Sequence, residues 1–180
     1  MSRLRIYAEN DASRPLQETA EHDAIAEALA ARGVRFERWP TRPLAPGAAP
    51  DDVIAAYQPE IERIKREGRY QAVDVISLKP DHPERETLRG KFLNEHTHSE
   101  DEVRFFVAGS GLFTLHLDDR VYEVLCEQGD LISVPSGTRH WFDMGPAPSF
   151  TAIRIFTNPA GWVANFTGTD VAARFPRYER

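Results

Sequence analysis

The spacing of apolar residues changes near residue 70. Before it, two stretches carry helical spacing. Ile25, Leu29 and nearby alanines predict a helix over Thr19–Arg32, with Gly33 as a natural stop. Asp51, an N-cap residue after Pro50, opens a second helix reaching Glu67, with Val53, Ile54, Tyr57 and Ile61 on one side. Leu4–Tyr7 and Val34–Trp39 read as short strands, and Trp39–Pro50, with four prolines, reads as a loop. From Tyr70 onward the pattern is that of strands: Ala72–Leu78, Val103–Val107, Gly111–Leu117, Val121–Leu125, Asp130–Val134, Trp141–Asp143 and Ala152–Phe156. Turn signals separate them, among them Gly109-Ser110-Gly111, Gln128-Gly129 and Pro135-Ser136-Gly137. Short strands at this spacing predict a β-sandwich or barrel. The helices of residues 1–69 pack outside it, giving a mainly β (α+β) protein.

Composition narrows the picture. A length of 180 residues suits a single domain, 1–180. With 22 Lys+Arg against 28 Asp+Glu, the net charge is −6, so no basic surplus points to nucleic acid or an anionic membrane. One cysteine, Cys126, makes neither an intrachain disulfide nor a thiolate zinc cluster. No apolar run approaches the roughly 20 residues of a membrane span. Met1–Asn10 lacks the apolar stretch of a secretion signal, so a cytoplasmic protein is expected. No long apolar stripe demands a partner, and a monomer is expected.

The placement of the histidines carries the chemistry. His96 and His98 are two apart, so on a strand both project from one face, with α-carbons about 6.6 Å apart. A tight turn over Ser99–Asp101 returns Glu102 beside them, and His140 follows a Pro-x-Gly turn that aims it at the same point. Three imidazoles and a carboxylate suit Fe, Ni, Mn, Co or Zn. A structural zinc site is the alternative, although such sites usually use Cys.

These two segments resemble the paired signature of the cupin superfamily. The first matches at Gly90, His96, His98, Glu102 and Gly109, the second at Gly129, Pro135, Gly137 and His140. Met144 stands where the signature ends in Asn. The resemblance implies a jelly-roll barrel over 70–166, followed by a tail, 167–180. Further segments are similar to the acireductone dioxygenase family: Glu95–Phe105, His140–Asp143, and the Arg154-x-Phe-x-Asn-Pro-x-Gly-Trp162 run. That resemblance implies one Fe2+ or Ni2+ ion and a role in methionine salvage. The substrate is then the acireductone 1,2-dihydroxy-3-keto-5-methylthiopentene, oxidised by O2. The iron form of the family yields 2-keto-4-methylthiobutyrate and formate. The nickel form yields methylthiopropionate, carbon monoxide and formate.

An enediolate needs fixed positive charge. Arg104, two residues after Glu102, is expected on the metal side of its strand, and Arg154 sits among apolar neighbours and needs an anionic partner. Glu100, Asp101 and Glu127 are candidate partners, and Asp101 is also placed to orient His98 or Arg104. Phe92, on the period-2 face of His96, with Phe142 and Trp162, is expected to wall the pocket and receive the methylthio tail. His116 is expected on the solvent side or paired, His22 and His82 at the surface, and Cys126 in or near the barrel. The Asn165-Phe166-Thr167 sequon reads as a chance match. A metal-dependent cupin isomerase and a non-catalytic small-molecule-binding cupin are the competing functions.

Overall fold

The computed structural model describes residues 1–158 and 162–179; Pro159 and Gly161 of the family-like run lie outside them. The order is β1 (Arg3–Ala8), β2 (Gln17–Thr19), α1 (His22–Ala30), β3 (Arg35–Arg38), α2 (Pro50–Ala56), α3 (Gln58–Glu67) and β4 (Ala72–Leu78). Then come α4 (Arg85–Phe92), β5 (His96–Thr97), β6 (Glu102–Leu117), β7 (Arg120–Glu127), β8 (Asp130–Val134) and β9 (Arg139–Asp143). The chain closes with β10 (Phe150–Phe156), β11 (Asn165–Phe166) and α5 (Val171–Arg174).

Strand β6 organises the barrel. Its first half pairs with β8 and β10, and its second half with β7 and β9, all antiparallel. The sequence predicts two strands with a turn at Gly109; the structure instead runs one strand through a bend. Gly109 makes the bend at φ 73°, and a β-carbon there would lie 1.8 Å from the Ser149 carbonyl oxygen. Only glycine accepts both conditions. Because β6 changes neighbours at the bend, it belongs to both walls of the barrel.

The N-terminal portion contributes strands as well as helices. β1 pairs with β7, and β3 pairs with β8, so each wall gains an N-terminal strand. Ile25 and Leu29 of α1 join Leu4, Ile6, Val34 and Phe36 in the main core, with Phe106, Phe113 and Phe142 from the barrel. The predicted helix over Thr19–Arg32 starts later, because Gln17–Thr19 pairs with β1. The predicted helix to Glu67 breaks at Tyr57: Pro59, in the first turn of α3, lacks the N–H that a continuous helix would need.

Burial along Val103–Val107 does not alternate because both faces of β6 are covered. Arg104 and Phe106 face the barrel interior, whereas Val103, Phe105 and Val107 pack with Val53, Tyr57, Ile61 and Ile64 of α2 and α3. The chain's end covers the other wall: Val171, Ala172 and Phe175 pack on Tyr7, Val121 and Trp141. Each such buried valine, isoleucine or phenylalanine contributes about 1.5–3 kcal/mol. Cys126 lies fully buried in the core, and burial pushes its thiol well above its usual range.

Candidate metal centre

Strand pairing brings the histidines together. His96 on β5 lies directly opposite His140 on β9, and the Pro135–Gly137 turn donates its Gly137 N–H to the His98 carbonyl. The three rings stand 4.5 to 5.1 Å apart between centroids, and all are buried. Their ligating nitrogens lie within 4.8 Å of one another.

Three backbone carbonyls fix the ring orientations. Nδ1 of His96 donates to Asn94 (2.7 Å), that of His98 to Val163 (2.8 Å) and that of His140 to Thr138 (2.8 Å). A carbonyl only accepts, so each Nδ1 carries the proton and each neutral ring presents its Nε2 lone pair inward. Glu102 opens β6 and places Oε2 3.0 Å from His140 Nε2 and 3.1 Å from His98 Nε2. Neutral Nε2 atoms and a carboxylate have no proton to share; one cation between them resolves the conflict. The donor set therefore fits a divalent metal, with three nitrogens and one oxygen.

For His96 and Glu102 the electrostatics agree. Burial, with His140 close by, pushes the pKa of His96 down to about 4, which keeps it in the neutral ligand form. Burial opposes ionisation of Glu102, but the Arg104 guanidinium and the bonds from His140 and His98 hold its carboxyl well below the usual range. Burial likewise lowers His98, yet its bond to Glu102 leaves it raised.

Arg104 faces the site, as its period predicts. It is 7% exposed and donates Nη2 to Glu102 Oε1 at 2.7 Å. Its guanidinium lies over Phe142 (4.6 Å), Phe113 (5.1 Å) and Trp162 (5.6 Å). Among the described residues its Nε has no hydrogen-bond partner. Arg154 also lines the cavity, but it is half-buried rather than enclosed, and its partner is Asp74, held by two bonds of 2.8 and 2.6 Å. None of Glu100, Asp101 and Glu127 takes that role. Glu100 accepts from Thr157 and Asn158, and Glu127 meets the N-terminal amine. The Asp101 carboxylate accepts from Ser136 N–H (2.9 Å) and Tyr70 Oη (3.3 Å), not from His98 or Arg104. It holds the loop that carries His98, whose next turn its carbonyl joins to Trp162 Nε1 (3.1 Å).

Phe92, Phe142 and Trp162 line one cavity of about 260 Å³ with His96, His98, Glu102, both arginines, Asp74, Phe156 and Ala164. Phe92 gets there from the end of α4, not from a strand continuing to His96. Phe142 also belongs to the main core. His116 takes the paired alternative: it is 4% exposed and bonds Glu95 through Nδ1 at 2.5 Å. Sequence reasoning missed Asp74 and Phe156. Phe156 had a signal, since it shares the period-2 face of Arg154; Asp74 had none, because only the β4–β10 register places it opposite Arg154.

An antiparallel barrel with three inward histidines and a carboxylate at its mouth defines a metal-binding cupin. The sequence model of the ARD/ARD' family matches residues 3–164, and the chain belongs to that family. Proteins named acireductone dioxygenase from Hahella chejuensis and Pseudomonas aeruginosa (strain UCBPP-PA14) are 58% and 61% identical over 180 residues. Those alignments cover 100% and 99% of this chain, and 97% and 99% of the relatives. The solved acireductone dioxygenase from Bacillus anthracis, with a cadmium ion in its active centre, superposes with a TM-score of 0.79 at 32% identity. It covers 92% of this chain and 98% of its own.

Proposed function

We propose that the chain is an acireductone dioxygenase of methionine salvage, with His96, His98, Glu102 and His140 holding one Fe2+ or Ni2+ ion. The observation that carries this is the convergence of three histidine nitrogens, with Glu102 against two of the rings, beside a cavity lined by two arginines. A divalent metal there supplies Lewis-acid polarisation and a template for two neighbouring substrate oxygens. The chain's own residues do the rest. The guanidinium of Arg104, with its unengaged Nε, and that of Arg154 stabilise the enediolate charge. Phe92, Phe142 and Trp162 exclude water and receive the methylthio tail. Asp74 steadies Arg154 at the rim, and Asp101 steadies the His98 loop.

No helix among the described residues is long and apolar enough to cross a membrane. The proposed protein is a cytoplasmic monomer whose partners are the acireductone and O2. Separate reconstitution with iron and nickel tests the assignment. Iron-loaded protein is expected to give 2-keto-4-methylthiobutyrate and formate. Nickel-loaded protein is expected to release carbon monoxide with methylthiopropionate and formate. An isomer of the substrate as the product of either form would favour the isomerase reading instead.

A further inference from the structure

Residues 162–170 run as a strap beside the ligands. Trp162 and Ala164 line the cavity, while Val163 and Phe166 are 68% and 57% exposed. The strap is tied to the ligand-bearing segments by its backbone: Val163 accepts from His98 Nδ1, and β11 pairs with β5 across Phe166 and His96. Its far end is fastened by a side chain. Glu95 is 1% exposed and sits next to His96. Its Oε1 accepts from the hydroxyls of Thr167 (2.8 Å) and Thr169 (3.1 Å), and its Oε2 accepts from His116 Nδ1 on β6. The carbonyl of the same residue accepts the Thr167 N–H at 3.1 Å. The other ring nitrogen of His116 makes no hydrogen bond among the described residues; the Glu9 carboxylate lies 3.6 Å from it.

A carboxylate this deeply buried is costly unless its lone pairs are used. Here they are used to join strap and barrel, and no other side chain among the described residues bonds to both strap and β6 through one carboxylate. We propose that Glu95 is a positioning residue: with His116, Thr167 and Thr169 it clamps the strap to β6 and thereby fixes the Val163 carbonyl that orients His98 toward the metal. The inference rests on the ligand assignment above.

The test uses the nickel-loaded full chain and the rate at which excess EDTA removes nickel. Thr167→Val with Thr169→Val deletes both hydroxyl donors at nearly constant volume. This double variant is expected to release nickel about 10-fold faster or more, the scale of lost outer-sphere support. Thr167→Ser with Thr169→Ser keeps both donors and is expected to release at the wild-type rate. That rescue separates hydrogen bonding from packing. Equal release by wild type and the valine variant overturns the clamp, as does a serine variant as fast as the valine one. A wild-type chain that takes up no nickel overturns the ligand assignment as well. Absence of acireductone turnover by a chain that holds nickel tightly overturns the proposed activity alone.

Discussion

Purified His140→Ala protein is expected to retain almost no metal after dialysis, and to lose essentially all turnover. The ring supplies one of three inward nitrogens and also touches Glu102 at 3.0 Å. Under the proposed assignment its loss removes a ligand outright, so affinity should fall by more than the roughly 10- to 100-fold that follows loss of an outer partner. The barrel should survive, because β9 pairs with β6 through its backbone from Arg139 to Asp143. Elemental analysis beside a circular dichroism spectrum reads both effects. Full metal retention with a native spectrum would remove His140 from the ligand set.

Arg104 carries the second large effect. Arg104→Ala strips Glu102 Oε1 of its charged partner inside the protein, and removes the guanidinium lying over Phe142. Breaking a buried pair from one side costs about 3–5 kcal/mol, so the alanine protein should have a clearly lower urea midpoint. Arg104→Lys is the sharper probe. It keeps a charge near Glu102 but not the planar fork that can reach Glu102 and substrate together. Its metal content should stay normal while kcat/KM falls about 100-fold, or roughly 2.7 kcal/mol of transition-state stabilisation. Wild-type kinetics in the lysine protein would place Arg104 in a purely structural role.

The proposed ligand set was legible because its information is local. His96, His98 and Glu102 lie within one turn of chain, and the Pro135–Gly137 turn fixes the approach of His140. The inward direction of Arg104 followed from strand period alone. What stayed hidden depends on register between distant strands. Asp74 meets Arg154 only because β4 runs antiparallel to β10, and the Val163 carbonyl reaches His98 across 65 residues of chain. Local signals also misled where tertiary packing overrode them. Gly109 reads as a turn, yet it bends one strand, and Phe92 reads in phase with His96, yet it ends a helix. The two-sided burial of Val103–Val107 erased the alternation that would have marked the inner face.

The central claim is that the three histidines, Glu102 and the arginines serve a reaction that consumes dioxygen. An oxygen electrode measures this directly, with iron-loaded protein, a known amount of acireductone, and a parallel sample under argon. The account predicts uptake of one O2 per substrate consumed, far above the rate in buffer, and no enzyme-dependent loss of substrate under argon. Substrate loss that proceeds equally fast without oxygen, or oxygen uptake no faster than in buffer, would contradict it.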